Sequence, residues 1–168
     1  MPKIIENLPQ RLLDEARRQI ETSGYGAMTI RSVAHGCGVG VGTVYNYYPS
    51  KDDLVATFLL ADWKKCMDTL TACASQSQSA EPVLRTMYDM LRRFLDDHNA
   101  IFRDEAAASA FPGSFSRYHS FLRSQLAATV RPFCRDDFMA DFVTESMLVW
   151  TVAGKSFDEI FNLVNKLF

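Results

Sequence analysis

The stretch Thr29-Ile30-Arg31-Ser32-Val33-Ala34-His35-Gly36-Cys37-Gly38-Val39-Gly40-Val41-Gly42-Thr43-Val44-Tyr45-Asn46-Tyr47 decides the fold. A threonine at 29 can cap the free N–H groups of a helix that follows it. Ile30, Val33, Ala34 and Cys37 then recur at helical spacing over two turns. Gly38 closes that helix, because the turn at Cys37-Gly38-Val39 needs a positive φ that glycine adopts without strain. A second short helix is expected over 40–47, and Pro49 ends it by disfavouring helix in the residue before it. The small residues Ala34, Cys37 and Gly38 let the two helices approach closely. This is the shape of a helix-turn-helix unit, whose second helix enters a DNA major groove.

Working outward, Leu12, Leu13, Ala16 and Ile20 give an earlier helix that starts near Pro9 and ends at Ser23-Gly24, with Gly24 as a left-handed cap. Ser50 caps a long helix carrying Leu54, Phe58, Leu59, Ala61, Met67 and Leu70, which fades in the polar run 75–79. Glu81-Pro82 opens the next, with Val83, Leu84, Met87, Leu91, Phe94 and Leu95 inward. The polar run 96–99 interrupts it. An alanine-rich helix is expected over 100–109, a turn at Phe111-Pro112-Gly113, and further helices over 115–133, 137–151 and 157–167. Six of the eight glycines lie between Gly24 and Gly42, so short elements joined by tight turns give way to long helices. The fold class is all-α. An N-terminal three-helix DNA-binding domain over 1–51 is followed by a helical bundle over 52–168.

Composition narrows the class further. The chain has 168 residues, 48% hydrophobic and 23% charged, which is ordinary for a globular protein. No apolar run reaches the roughly 18 residues of a membrane-spanning helix. The N-terminus lacks a signal-peptide pattern. Four cysteines at 37, 66, 73 and 134 do not make a disulfide framework in a chain this long, so a reducing cytoplasm is the expected location. A net charge of −2 argues against nucleic acid when taken whole. Divided at residue 51 it becomes +2 before the boundary and −4 after it, and the objection mostly disappears.

Residues 27–34 and 38–54, with Gly-Thr-Val-Tyr-Asn-Tyr-Tyr-Pro-Ser-Lys at 42–51 as the most specific part, resemble the DNA-binding domain of the TetR family of transcriptional repressors. The upstream Leu12, Ala16 and Gly24-Tyr25 fall at the family's spacing. The resemblance covers about residues 9–54. It implies that Thr29 and Arg31 meet a phosphate at the start of the first short helix. Val41, Gly42, Thr43, Tyr45 and Asn46 should face the groove. Tyr47 and Lys51 should hold phosphates, and Val44 and Tyr48 should point into the core. Asn46 suits a bidentate bond to adenine, and Val41 or Thr43 suits a thymine methyl. Gly36 departs from the family pattern, since a helix-favouring residue is commoner there. It should cost its helix about 1 kcal/mol relative to alanine.

A chain this long has a radius of gyration of about 15 Å. Helix-turn-helix dimers place their recognition helices about 34 Å apart. A homodimer on a palindromic operator in double-stranded DNA is therefore expected, as the resemblance also implies. The last two helices are more apolar than one short terminal pair needs. Phe142, Met147, Trp150, Phe157, Ile160, Phe161 and Val164 are the candidate interface. Trp63, Met67, Met87, Met90, Phe94, Phe102, Phe111, Tyr118 and Phe121 are candidates to line a pocket for a small-molecule effector, methionine and aromatic side chains suiting an adaptable apolar site.

The residues contain no convergent nucleophile and base, so an enzyme is not expected, and no cofactor is implied. His98, Asp96, Asp97 and His119 lack a metal-binding spacing. Cys66 and Cys73 stand about 10.5 Å apart along one helix, too far for a disulfide. The competing class is a helical dimeric interaction module that has lost specific DNA binding. DNA-binding measurements separate the two.

Overall fold

A computed structural model describes residues 6–104 and 112–168, with side chains throughout except at 112–119. Every regular element among the described residues is helical. They are α1 (Leu8–Ser23), α2 (Ile30–Cys37), α3 (Val41–Tyr45), α4 (Lys51–Gln76), α5 (Ala80–Asp97), α6 (Asn99–Phe102), α7 (Pro112–Val130), α8 (Asp137–Val152) and α9 (Phe157–Val164). Single 3-10 turns follow α7 at Arg131–Phe133 and α9 at Asn165–Leu167. The chain separates into two compact units, one from residues 1–61 and 98–112 and the other from 62–97 and 113–168.

In the first unit α1 buries Leu8, Leu12, Ala16 and Ile20, one residue per turn along a single stripe. Pro9 sits in its first turn, where the missing N–H costs nothing. Gly24 accepts the helix end with φ +82° and ψ 161°, and its N–H donates to Ile20 O at 2.9 Å. That is a positive φ but an extended ψ, so Gly24 is not the expected left-handed cap. The stripe packs on Val33 and Ala34 of α2, Val44 of α3, Leu54, Val55 and Phe58 of α4, and Ile101 of α6. Fully burying a side chain of this size stabilises by about 1.5–3 kcal/mol, so this small core suffices to hold short helices.

One expected element comes out shorter. Helix α3 spans Val41–Tyr45 rather than 40–47. Beyond it the chain tightens into a turn, Tyr47 N–H donating to Val44 O at 3.0 Å and Tyr48 N–H to the same oxygen at 2.9 Å, with Val44 and Tyr48 both buried. Of the helix expected over 100–109, the start lies in α6, which ends at Phe102, Arg103 is in a turn, and 105–109 lie outside the described residues. Pro112, expected in a turn, opens α7 instead, as its fixed φ allows.

In the second unit α5 is strongly one-sided, with Ala80, Val83, Leu84, Met87, Met90 and Leu91 inward. It packs chiefly on α8 through Ala140, Val143 and Met147, all fully buried. Tyr88 ties α5 to the segment before α9, donating its hydroxyl to Lys155 O at 2.9 Å, and meets the Phe157 ring edge-on. Two caps fix the last helices. The Asp136 carboxylate accepts from Met139 N–H at 2.8 Å. Ser156 and Glu159 form a reciprocal capping box at the start of α9.

Candidate nucleic-acid interface

The candidate surface is built from two helix starts and a turn. At the start of α2, Thr29 Oγ1 accepts from Ser32 N–H at 3.0 Å, and Ser32 Oγ accepts from Thr29 N–H at 3.0 Å. This capping box satisfies two of the donors that a helix N-terminus leaves free. The N–H groups of Ile30 and Arg31, the first two of α2, keep no intrahelical acceptor. Thr29 and Arg31 are both exposed.

The turn between α2 and α3 hangs on Gly38, at φ +68° and ψ 34°. Its N–H donates to His35 O at 3.0 Å, and Val39 N–H donates to Ala34 O at 2.9 Å. A Cβ on Gly38 would meet nothing within 4 Å, so it is the backbone angle that requires glycine there. Gly42 is different. Its φ is ordinary and a Cβ there would also stand in open space. Nothing inside the fold calls for glycine at 42.

Helix α3 is anchored from below. Val44 and Tyr48 enter the core of the first unit, and the Tyr48 hydroxyl finds its partner in Pro9 O at 3.2 Å. Burial pushes the Tyr48 hydroxyl pKa up, so it stays a neutral donor. The opposite face carries Gly42, Tyr45, Asn46 and Tyr47, all exposed, with Tyr45 at 50% and Tyr47 at 47%. Val41 and Thr43 are half-buried at its start. Lys51 stands at the start of α4 but is engaged inside its own unit. Its Nζ donates to Tyr25 O at 2.5 Å and lies 3.9 Å from the Tyr25 ring centroid. Burial lowers its pKa.

Between α1 and α2 lies an open cleft of about 510 Å³, lined by Glu15, Arg18, Gln19, Thr29, Arg31, Ser32, His35 and Gly36. The α1 residues in it escaped the sequence reading. Ser32 was legible in principle, as the fourth residue of a capping box. Glu15 and Gln19 look like any solvated face of a helix.

The other candidates sort by unit. Trp63, Met67, Met87 and Met90 are buried together in the core of the second unit, and Phe94 packs against them with its ring edge-on to Trp63 at 5.4 Å. The Trp63 indole N–H donates to Gln125 Oε1 at 2.9 Å. Phe121 is 54% exposed, and Phe102 is exposed in the first unit. Phe111 and the side chain of Tyr118 lie outside the described residues. Of the candidate interface residues, Met147, Phe157, Ile160 and Val164 are buried in the core of their own chain and Phe161 is half-buried. Phe142 and Trp150 are half-exposed, and Phe138, Val149, Val152 and Leu163 on the same two helices are exposed as well.

Comparison with known proteins gives this arrangement its relatives. The profile of the bacterial regulatory proteins of the tetR family matches residues 12–57. Over these residues the chain is similar to the TetR family. Fifty-six residues are 36% identical to the HTH-type transcriptional repressor KstR of Rhodococcus jostii (strain RHA1), a stretch that is 33% of this chain and 26% of that one. The match thus spans about a quarter of that relative's length. The fold extends further. The fatty acid degradation regulator FadR from Bacillus halodurans superposes with a TM-score of 0.56 at 16% identity, over 95% of this chain and 91% of that one. A TetR-like transcriptional regulator from Rhodococcus sp. RHA1 gives 0.55 at 21%, over 94% and 91%. The matched family is one of bacterial regulatory proteins, and the matched relative is a transcriptional repressor. No helix of the described residues is long and apolar enough to cross a membrane.

Proposed function

We propose that this chain is a DNA-binding transcriptional repressor of the TetR family. It acts in the cytoplasm as a homodimer on a palindromic operator and leaves it when a small-molecule effector binds. The observation that carries the reading is the two-sidedness of α3. Val44 and Tyr48 are sunk in the core, while Gly42, Tyr45, Asn46 and Tyr47 stand exposed on a short helix with nothing of their own unit over them. Such a helix suits a major groove, with Asn46 able to read a base edge and Gly42 allowing close backbone approach.

The body supports the rest. Phe138 at 79% exposure and Leu163 at 68%, with Phe142 and Trp150, are exposed apolar side chains on the last two helices that a second copy would cover. The Met and aromatic core around Trp63 suits a deformable apolar site. In that same unit the buried Oγ1 atoms of Thr144 and Thr151 have no hydrogen-bond partner among the described residues, and a polar group on an effector would satisfy them. The effector must bind the DNA-released form more tightly than the DNA-bound form, or it shifts nothing.

Fluorescence anisotropy against the DNA flanking its own gene, at two salt concentrations, tests the reading. Specific binding that weakens with salt is expected. A dimer that binds no DNA specifically would leave an interaction module instead.

A further inference from the structure

The α1 side of the cleft holds a continuous line of side-chain hydrogen bonds. Arg18 grips the Glu15 carboxylate with two of them, Nη2 to Oε1 at 2.7 Å and Nε to Oε2 at 2.9 Å. Glu15 Oε1 also accepts from Gln19 Nε2 at 2.7 Å. Gln19 Oε1 in turn accepts from Ser32 Oγ at 2.6 Å. Ser32 is the residue that closes the cap on Thr29. Room for this line is made by Gly36, where a Cβ would stand 2.2 Å from Glu15 Oε1.

We propose that Gln19, itself held by Glu15, is a positioning residue for DNA binding, fixing the Ser32 hydroxyl and so the Thr29–Ser32 cap that presents the first turn of α2 to a backbone phosphate. A serine hydroxyl has one proton to give. Ser32 Oγ lies within hydrogen-bond distance of two acceptors, Gln19 Oε1 and, at 2.8 Å, Thr29 O. Thr29 O already serves Val33 N–H, the first intrahelical bond. When Gln19 takes the proton, the cap is tied to a helix one element away and Thr29 O is left to α2. Without Gln19 the serine turns back on Thr29, and the cap is fixed only to itself. The ordering of donors at 29–31 then has to be made at the moment of binding, which costs affinity. Arg18 keeps the line from carrying an unpaired negative charge beside a site meant for an anion.

The inference rests on the DNA-binding reading, and its test separates the two. The full chain is titrated into a duplex from the DNA upstream of its own gene and into an unrelated duplex of equal length. Salt runs from about 50 to 200 mM, and thermal midpoints are taken alongside. Gln19→Leu is expected to weaken binding to both duplexes alike, by about five-fold near physiological salt, with a salt slope lower by about 0.9, the signature of one lost phosphate. Gln19→Glu faces the Glu15 carboxylate and is expected to bind as weakly or worse. The double variant Glu15→Gln/Gln19→Glu restores the line with donor and acceptor exchanged and the net charge unchanged, and is expected to regain the original slope. An unchanged slope in Gln19→Leu, even with a lowered thermal midpoint, makes the line a matter of stability only and overturns the proposal. A double variant as weak as Gln19→Glu overturns it too. If the unaltered chain binds neither duplex, the DNA-binding reading fails first and the inference goes with it.

Discussion

The Glu15 carboxylate occupies the place where residue 36 would carry a side chain: a Cβ on Gly36 would lie 2.2 Å from Oε1, 2.6 Å from Cδ and 2.9 Å from Cγ. A glycine that costs α2 helix propensity thus has a reason outside α2. Gly36→Ala sets two effects against each other. The helix gains about 1 kcal/mol of propensity. The glutamate must swing out, giving up bonds to an exposed Arg18 that, for a pair near the surface, are worth about 0.2–1 kcal/mol. The thermal midpoint should therefore move little. The clearer readout is the Glu15 carboxyl, held down to about 2 by Arg18 and then Gln19. In Gly36→Ala it should titrate in the ordinary glutamate range. A carboxyl still near 2 by NMR titration would mean that Glu15 keeps its partners by another route.

Acid stability follows from the same group and from Glu159. The Ser156 backbone N–H, with Lys155 and the Ser156 hydroxyl, holds Glu159 to about 2 as well. Both values are lowered in the folded state from the ordinary 4.5. The stability they contribute is therefore present above about pH 4.5 and is lost as pH falls towards and through 2. Melting curves across that window should show a steeper loss for the natural chain than for Glu15→Gln/Glu159→Gln. Identical slopes would show that the two carboxylates do not set the acid limb.

Gly42→Ala separates folding from recognition. The position is helical, its Cβ would meet nothing, and its φ suits any residue. Alanine should stabilise α3 by up to about 1 kcal/mol and raise the thermal midpoint. If the α3 backbone approaches DNA here, the same change should weaken specific binding. Higher stability with unchanged affinity would remove Gly42 from the interface.

The halves of the helix-turn-helix were legible because each rests on local chemistry. Thr29 caps, Gly38 takes a positive φ, and Val44 and Tyr48 face inward. What escaped was tertiary. Nothing near Asp104 in sequence says that its carboxylate accepts from Gly26 N–H at 2.9 Å, 78 residues away, so the membership of 98–104 in the first unit could not be read. The terminal helices were legible as helices, but which of their apolar residues face inward was not, for a related reason. Their apolar residues point in two directions, and periodicity over eight residues of α9 does not tell a buried Ile160 from an exposed Leu163 in its role. Polar lines such as that from Arg18 to Ser32 are invisible in sequence, because each member is an unremarkable surface residue alone.

Lys51 serves two masters, and substitutions can divide them. Its ammonium is bonded to Tyr25 O and lies over the Tyr25 ring, whose hydroxyl donates to the Asp52 carboxylate. Lys51→Ala should cost about 1–3 kcal/mol of stability by removing a charged hydrogen bond and its cation–π contact. Lys51→Met keeps most of the stem on the ring and isolates the charge. If Lys51 also reaches a phosphate, Lys51→Met should weaken binding to every sequence and lower the salt slope by about 1. An unchanged slope would confine Lys51 to holding the loop after α1.

The two kinds of apolar residue on α8 should behave oppositely. Met147 is fully buried, and Met147→Ala should destabilise the chain by about 2–5 kcal/mol. Phe142 and Trp150 are 51% and 49% exposed, and the Phe142 ring lies 6.5 Å from that of Phe138, itself almost uncovered. Phe142→Lys/Trp150→Glu should leave helical content largely intact. If the proposed homodimer uses this face, sedimentation should show a monomer, since burying a charge without a designed partner costs several kcal/mol per ion. A monomer carries one recognition helix, so specific affinity for a two-fold operator should fall steeply while weak non-specific binding survives. A double variant that stays dimeric would place the interface elsewhere on the second unit.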